Sequence, residues 1–260
     1  MKKLSLIGSG NIGGILASII STKNLGNVIL LDVVEGTAKG KALDISQKNA
    51  VNYSNTKIFG TNKFSDIKNS DVIIVTAGIA RKPGMSRDDL IETNFKIMKE
   101  IGLGIKEFSP NAFVICITNP LDAMAWTLKK ISGIKKNMIV GMAGILDSAR
   151  FRFFLSEELN VSMENINTMV LGGHGDTMVP LINHTSISGI PLSYFIENGL
   201  IQKKKLDEII LRTRNGGGEI VSLMKNSSAF FAPAASGVEI AESFLKNQKK
   251  TTSLFNLHKW

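Results

Sequence analysis

The chain has 260 residues, of which 43% are hydrophobic and 20% are charged. This balance is typical of a folded protein with one large or two modest domains, and it argues against a disordered chain. The sequence contains no uninterrupted apolar run long enough to cross a bilayer, so we do not expect the chain to be a membrane protein. Because Cys116 is the single cysteine, no internal disulfide can form, and we expect a cytoplasmic location.

The charge is strongly basic, since 31 Lys and Arg residues outnumber 22 Asp and Glu residues and give a formal charge of +9. Such an excess would permit binding to nucleic acid or to acidic membranes. The lysines are spread out, however, and the densest run, Lys203-Lys204-Lys205, heads a predicted surface helix. We therefore expect no nucleic-acid or membrane partner, and we expect some of the charge to attract anionic substrates.

The first half of the chain alternates short apolar runs with helical patterns. Strands are predicted at 4–7, 28–31, about 57–59, 72–76, 112–118 and 138–142. Helices are predicted at 11–22, from 37 to about 49, from about 88, and after 120. Because strands that alternate with helices pair in parallel, this order predicts an α/β fold with a doubly wound parallel Rossmann sheet. Ligands of such sheets bind at the carboxyl ends of the strands.

The amino terminus permits one alternative interpretation. Met1-Lys2-Lys3 and the apolar residues after it have the charged head and apolar stretch of a secretory signal. The polar and glycine residues at 8–11 interrupt that stretch, and cleavage would remove the first predicted strand. We therefore prefer the interpretation as a strand.

The pattern changes from about residue 144. A helix is predicted at 146–159, extended segments near 168–171 and 178–188, and two helical stretches after Leu206. We interpret residues 1–143 as a dinucleotide-binding domain and residues 144–246 as a smaller α+β substrate domain. The cleft between two such domains is the expected site.

A glycine-rich turn, Gly8-Ser9-Gly10-Asn11-Ile12-Gly13, follows the first predicted strand and opens the first helix. Its glycines permit a tight turn, and the helix amino terminus attracts a pyrophosphate. Asp32 closes the second strand, at 19 positions after Gly13. A carboxylate there can accept both ribose hydroxyls and would repel a 2′-phosphate, so the motif predicts NAD rather than NADP. Asp32 could instead cap a helix or turn.

His174 lies in the run Gly172-Gly173-His174-Gly175-Asp176, whose glycines leave room for a substrate and a cofactor. An imidazole can accept a hydroxyl proton near neutral pH while hydride leaves the adjacent carbon. Asp147 is the candidate carboxylate that would stabilise the imidazolium, although it could also cap its helix. His184 and His258 fit better as packed or surface histidines.

Three arginines suggest an anionic substrate. Arg150 lies three residues after Asp147, on the same helical face, where a guanidinium can grip a carboxylate through two parallel bonds. Arg81 and Arg87 flank a polar segment, 82–86, that has the composition of a lid. Together with His174, these residues predict hydride transfer from a small dicarboxylic hydroxy acid to a nicotinamide.

Asn119-Pro120 ends the fifth predicted strand. An Asn amide there can donate to a substrate oxygen, and the proline permits a fixed turn with a cis peptide bond. The three histidines and single cysteine have no metal-ligand spacing, so we expect no metal.

Jointly, these segments resemble the lactate/malate dehydrogenase family, and within it the NAD-dependent malate dehydrogenases of the lactate-dehydrogenase-like type. The resemblance is carried by Gly8-x-Gly10-x-x-Gly13, Asp32, Thr76-Ala77-Gly78, Arg81-Lys82-Pro83-Gly84-Met85-Ser86-Arg87, Ile117-Thr118-Asn119-Pro120, Leu146-Asp147-Ser148-Ala149-Arg150 and Gly172-Gly173-His174-Gly175-Asp176. It implies an oxidoreductase that interconverts (S)-malate and oxaloacetate with NAD, a reaction of the tricarboxylic acid cycle. It also implies a homo-oligomer, a dimer or a tetramer.

The resemblance assigns roles to individual residues. His174 would be the proton acceptor, Asp147 its orienting carboxylate, and Arg150 the clamp on the carboxylate beside the reacting carbon. Arg87 would polarise the reacting oxygen, and Asn119 would touch both substrate and cofactor. The expected cofactor-binding residues are Gly8, Gly10, Asn11, Ile12, Gly13, Asp32, Asn94, Ile117, Thr118 and Asn119.

Arg81 separates two alternatives within the family. Malate dehydrogenases carry Arg where lactate dehydrogenases carry Gln, so Arg81 favours oxaloacetate over pyruvate. A lactate or other 2-hydroxyacid dehydrogenase is the nearest alternative. Family members continue after the helix that ends near Lys246, whereas residues 247–260 resemble nothing in the family. We therefore expect a truncated substrate domain with an unrelated tail, which leaves an inactive dinucleotide-binding protein as a further alternative.

Overall fold

The computed structural model describes residues 1–79, 87–225 and 227–250, with Arg87 described by its backbone alone. The strands are β1 (Lys3–Ile7), β2 (Asn27–Leu31), β3 (Ile58–Thr61), β4 (Val72–Val75), β5 (Phe113–Cys116), β6 (Ile139–Gly141), β7 (Ile166–Asn167), β8 (Val170–Leu171), β9 (Val179–Pro180), β10 (Ser186–Ile187) and β11 (Ile190–Pro191). The helices are α1 (Asn11–Thr22), α2 (Glu35–Val51), α3 (Arg87–Phe108), α4 (Leu121–Ser132), α5 (Gly144–Leu159), α6 (Leu192–Glu197), α7 (Lys203–Met224) and α8 (Phe231–Leu245).

Six strands form one parallel sheet in the order β3-β2-β1-β4-β5-β6. β1 pairs with β2 from Lys3 opposite Asn27, and with β4 from Leu4 opposite Val72. β4 and β5 are buried at every position, because helices cover both faces of a doubly wound sheet. The strand order reverses between β1 and β4, which opens a crevice at the carboxyl edge. The predicted Rossmann sheet is confirmed.

The chain forms two compact units. The first contains Met1–Met142 and Phe230–Lys250, and it holds the six-stranded sheet. The second contains Ala143–Ala229, with α5, α6, α7 and two small antiparallel sheets, β11-β10-β7 and β8-β9. Its core includes the buried side chains of Phe151, Leu155 and Ile209. The predicted α/β fold with a smaller second domain is therefore present.

Helix α8 marks a difference from the predicted domain boundaries of 1–143 and 144–246. It packs on α1 in the first unit. A Cβ added to Gly237 would lie 2.9 Å from Ile117 Cδ1, and the Phe244 ring stacks on Phe113 with centroids 4.2 Å apart. An apolar helix can cover either unit, and its residue pattern alone does not encode which one.

The second unit also differs from the sequence prediction in its short elements. The extended segment predicted at 178–188 consists of β9, a 3-10 turn at Ile182–His184, and β10. Helix α6 and strand β11 were not predicted. Elements of two to six residues are too short to show a period. Among the helices that the structure describes, none combines the length and apolarity needed to span a bilayer.

Candidate functional site

The glycine-rich turn connects β1 to α1 and is tightly packed at two of its glycines. Gly8 has a φ of +106°, and a Cβ there would lie 2.6 Å from the Ala77 nitrogen. A Cβ on Gly13 would clash with the carbonyl oxygen of Gly8. A Cβ on Gly10, by contrast, would point into open space. No side chain in the described part of the chain caps α1, so its amino terminus is open to an anion.

Asp32 follows β2 and faces this turn. Its Oδ2 accepts hydrogen bonds from the Ser9 N–H at 2.7 Å and from the Ser9 hydroxyl at 2.9 Å. Its Oδ1 accepts the Val34 N–H at 3.1 Å. The bond to Val34 is the turn-capping role that the sequence left as an alternative. The bonds to Ser9 fix the carboxylate beside the glycines, where a ribose would lie.

A pocket of about 370 Å³ lies at the carboxyl ends of β1, β2 and β4. Its lining joins the glycine turn and Asp32 to apolar side chains, among them Val33, Phe64, Ile79, Ile97 and Ile101. Open backbone suits phosphates, the Asp32 carboxylate suits ribose hydroxyls, and an apolar wall suits a flat heterocycle. The residues of this pocket therefore fit a dinucleotide. Two further predicted cofactor residues lie in the first turn of α1, where Asn11 is exposed and Ile12 is half-buried.

Asn94 ties together the loops that follow β4 and β5. It is fully buried, and its Oδ1 accepts the Ile79 N–H at 2.9 Å. Its Nδ2 donates to the carbonyl oxygens of Ile79, at 3.2 Å, and Asn119, at 2.8 Å. The hydroxyl of buried Thr118 donates to the Ala77 carbonyl at 2.7 Å. The Asn94 amide thus supports the backbone at Asn119, whose own side chain is exposed.

Two further features belong to the end of β5. The Ile117 N–H donates to the Val75 carbonyl at 2.9 Å and continues the sheet ladder by one residue. The Asn119-Pro120 peptide bond is cis. Ile117, Thr118 and Asn119 therefore lie at the same carboxyl edge of the sheet as the glycine turn.

Asp147, Arg150 and His174 come together in the second unit. Helix α5 begins at Gly144 after Ala143 as its N-cap, so Asp147 lies inside the first turn and does not cap the helix. Its Oδ2 is 2.9 Å from His174 Nδ1, and its Oδ1 is 3.4 Å from Arg150 Nη1. The Asp147 side chain is 2% exposed, and that of His174 is 23% exposed.

This geometry fixes the direction of the His174 hydrogen bond. An ionised carboxylate can only accept, so the His174 Nδ1 carries a proton and donates it to Asp147. In the neutral imidazole the lone pair then resides on Nε2, which can take a proton from a ligand. Asp147 would stabilise the imidazolium that results. The pair can act as a general base and, in the reverse direction, as a general acid.

Arg150 is partly buried beside the pair, with 13% of its side chain exposed. Burial lowers its pKa, while the neighbouring Asp147 acts in the opposite direction. A guanidinium stays charged in either case. A Cβ on Gly216 of α7 would lie 3.0 Å from Arg150 Cδ, so this glycine makes room for the arginine. The contact to Asp147 engages one nitrogen, and the remaining donors can bind a ligand carboxylate.

The other predicted residues have separate outcomes. Arg81 and the segment 82–86 lie outside the described residues, as does His258. Arg87 begins α3, and its side chain is outside the described part. His184 is exposed in a 3-10 turn, as expected for a surface histidine.

Sequence reasoning missed two contributors to these sites: Ser9 and Gly216. Gly216 had a detectable signal, because it is the first of three consecutive glycines inside a helix, which are costly and mark close packing or function. Ser9 had none, because the type of a serine does not show whether it is buried.

Comparison with known proteins gives two adjoining family matches. Residues 2–141 match the lactate/malate dehydrogenase NAD binding domain. Residues 145–257 match the lactate/malate dehydrogenase alpha/beta C-terminal domain. The second match continues past Lys246, where the sequence resemblance was expected to end.

Solved structures that resemble this chain carry both enzyme names. Malate dehydrogenase of Cryptosporidium parvum is 47% identical with a TM-score of 0.93, covering 98% of this chain and 85% of its own. Lactate dehydrogenase of the same organism, complexed with lactic acid and the NAD cofactor, is 44% identical with a TM-score of 0.94, covering 97% and 80%. Malate dehydrogenase of Picrophilus torridus is 45% identical with a TM-score of 0.93, covering 100% and 80%.

These matches agree with the geometry of the two sites. The glycine turn, Asp32 and the pocket lie in the part that matches an NAD-binding domain, and the predicted cofactor, NAD, is confirmed. The His174–Asp147 pair lies in the part that matches the alpha/beta C-terminal domain of the same family. The chain therefore belongs to the lactate/malate dehydrogenase family of NAD-dependent oxidoreductases.

Proposed function

We propose that this chain is a malate dehydrogenase, which interconverts (S)-malate and NAD with oxaloacetate and NADH. The observation that carries the proposal is the arrangement of His174, Asp147 and Arg150, with a proton acceptor and a carboxylate clamp on one buried acid. Relatives at 44% and 47% identity are named lactate and malate dehydrogenase respectively, so the substrate must be argued from this chain's own residues.

His174 and Arg150 would perform the proton and binding steps. In the oxidation direction, His174 Nε2 accepts the hydroxyl proton of malate, and Asp147 stabilises the resulting imidazolium. Arg150 binds the carboxylate beside the reacting carbon and orients it. The glycine turn and Asp32 would hold NAD, which would supply the hydride acceptor. The alcohol thereby loses one hydride and one proton, and His174 later releases that proton to solvent.

Arg81 would select the dicarboxylate. Within the family that the sequence resembles, malate dehydrogenases carry arginine where lactate dehydrogenases carry glutamine. A guanidinium at that position would pair with the second carboxylate of oxaloacetate, whereas pyruvate would leave it unpaired. Discrimination by such a polar pair can reach about 10⁴-fold. Arg87 would polarise the reacting oxygen, and Asn119 would contact substrate and cofactor.

We further infer a homo-oligomer in the cytoplasm. Large apolar side chains are exposed on and just after α2, among them Leu43, Val51 and Tyr53, at 62%, 76% and 93%. Subunit contacts commonly cover exposed apolar side chains of this kind. Burial raises the pKa of Cys116 to about 12, and a single unreactive thiol suits a reducing compartment.

The test of the proposed function is the substitution Arg81→Gln. We expect kcat/KM for oxaloacetate to fall by at least about 10²-fold, with a much smaller change for pyruvate, because the paired cation is lost only for the dicarboxylate. The fall in NADH absorbance at about 340 nm measures the rate with each substrate. A reaction without substrate serves as the blank.

His174→Asn is the matched loss-of-function control. It removes the proton acceptor and should lower turnover by at least about 10²-fold while NADH still binds. A wild-type preference for pyruvate over oxaloacetate would favour a lactate dehydrogenase instead. A chain that binds NADH but turns over neither substrate would favour the inactive dinucleotide-binding protein.

A further inference from the structure

Ser148 is a buried side chain that joins the helix carrying Asp147 to the strand that leads to His174. It lies next to Asp147 in α5 and is 7% exposed. Its hydroxyl donates to the Gly144 carbonyl at 2.6 Å and accepts the Val170 N–H at 2.9 Å. The first bond stays within α5, and the second crosses to β8. One hydroxyl therefore fixes the spacing of two elements.

The segment that carries His174 contains two glycines with positive φ. Gly172 and Gly175 have φ values of +92° and +141°, a region of backbone conformation that residues with a Cβ rarely adopt. Strand β8 leads into this loop and pairs with β9, where the Leu181 N–H donates to the Met169 carbonyl at 2.9 Å and Val170 stands opposite Pro180. The bond from Ser148 adds a link from β8 to α5, the helix that carries Asp147.

We propose that Ser148 is a positioning residue that sets the alignment of His174 with Asp147. Its hydroxyl holds the start of β8 against α5, four positions before His174, and so keeps the His174 Nδ1 at 2.9 Å from Asp147 Oδ2. The kinetic consequences rest on the proposed function. Ser148 acts through His174, and we assign it no contact with the substrate.

The proposal predicts a split between kcat and KM for Ser148→Ala. Asp147 and Arg150 share α5 with Ser148, so the carboxylate clamp stays in place when the link to β8 is lost. His174 lies on the other side of that link and loses its alignment. We expect kcat to fall about 10- to 100-fold, the scale for misplacement of a reacting group, with KM for oxaloacetate within about twofold. Ser148→Thr keeps a hydroxyl and should restore most of the loss.

Ser156→Ala is the matched control, because Ser156 is a second buried serine on α5. It is 6% exposed, and its hydroxyl donates to the Phe153 carbonyl at 2.8 Å, within its own helix. Its removal costs a buried hydroxyl without loosening β8. We expect wild-type kcat for Ser156→Ala. Equal kcat values for the two alanine variants, or a KM that rises as much as kcat falls, would overturn the proposal.

A spectroscopic measurement separates this inference from the proposed function. In ¹⁵N-histidine-labelled protein, the Nδ1 proton of His174 should give a downfield, slowly exchanging signal, assigned by its absence in His174→Asn. We expect the signal in wild type and Ser156→Ala, and its loss or upfield shift in Ser148→Ala. An unchanged signal in Ser148→Ala overturns the assignment, even if the wild type turns over neither substrate. Should Ser148→Ala not fold, Ser148→Cys replaces it, because a sulfur of similar size accepts the Val170 N–H only weakly, and we expect the same loss or upfield shift of the signal.

Discussion

Ser9 fixes the carboxylate of Asp32, the proposed ribose ligand, although the sequence motif treats position 9 as variable. Its side chain and backbone both donate to one oxygen of Asp32, and the residue is fully buried. Hydrogen bonds to a charged acceptor are stronger than neutral ones, and an acceptor held in place before binding costs less to order. We therefore propose that Ser9 supports the cofactor site by holding Asp32 in place.

Substitution of Ser9 by alanine tests this dependence. We expect the Kd for NADH to rise by about three- to tenfold, because one oxygen of Asp32 loses a donor and the carboxylate becomes less ordered. Titration of NADH fluorescence measures the change. Ser5→Ala is the control, since Ser5 is a buried serine on β1 that bonds to Ser70 Oγ at 2.6 Å. An identical Kd in both variants and the wild type would contradict the assignment.

At the residue scale, the sequence predicted the groups with distinctive chemistry and missed those that position them. His174 and Asp147 carry chemistry that serine and glycine lack, so their types and glycine neighbours were informative. Ser9 and Ser148 act only through partners brought to them by the fold. The roles of Asn119 and Arg81 stay predictions. Positioning residues are hard to predict because their function depends on geometry rather than on residue type.

At the scale of elements, long periodic or fully buried segments were predictable. Helix α1 has the predicted bounds, Asn11–Thr22, and β4 and β5 lie inside the predicted apolar runs. Helix α2 extends two residues beyond the predicted segment at each end, because Glu35 and Val51 contribute no apolar period. The two-residue strands of the second unit gain their stability from packing rather than from local pattern, so no local signal could mark them.

Helix α7 contains a conflict between local propensity and packing. Gly216, Gly217 and Gly218 lie inside its 22 residues, although each costs up to about 1 kcal/mol relative to alanine in a helix. Gly216 is buried against Arg150, whereas Gly218 is exposed and a Cβ there would meet nothing. The cost at Gly216 therefore has a structural reason, and the cost at Gly218 has none in the described contacts.

These two glycines give a paired prediction. Gly218→Ala should raise the free energy of unfolding by roughly 0.5 to 1 kcal/mol without altering KM. Gly216→Ala gains the same propensity but places a Cβ 3.0 Å from Arg150 Cδ, so the arginine must shift. We expect KM for oxaloacetate to rise by about tenfold or more in that variant alone. Urea unfolding and steady-state kinetics measure the two effects, and equal KM values would exclude a role for Gly216 in placing Arg150.

At the scale of the whole molecule, the chain returns to its first unit after completing the second. The segment Phe230–Lys250 belongs to the same unit as Met1–Met142, and its helix α8 packs on α1. A linear reading of domains assigns each boundary once, so it could not predict a unit made of two segments. The information lies in long-range contacts such as Phe113 with Phe244, which no local pattern contains.

Glu242 links the carboxyl-terminal ends of α1 and α8. Its carboxylate accepts hydrogen bonds from Lys23 at 2.5 Å and from Lys246 at 2.6 Å, and its side chain is 10% exposed. The bond from Lys23, and then that from Lys246, lower the pKa of Glu242. A carboxyl whose pKa is lower in the folded chain than in the unfolded chain stabilises the fold at every pH above its unfolded-state pKa. That contribution is lost as the pH falls through the lower, folded-state pKa.

Glu242→Gln should therefore destabilise the protein in a pH-dependent way. We expect a loss on the order of 1 kcal/mol near pH 7, because both lysines are half-exposed and screened by solvent. The loss should shrink below about pH 4, where the wild-type carboxyl also becomes protonated. Thermal melts of both proteins across this pH range measure the loss of stability.

Glu92→Gln is the control, because Glu92 pairs with Lys96 on the surface. The Lys96 and Glu92 side chains are 72% and 71% exposed, so this variant should show almost no difference in stability at any pH. A Glu242→Gln deficit that stays constant down to about pH 3 would mean that lost packing, rather than the paired charge, holds α8 to α1.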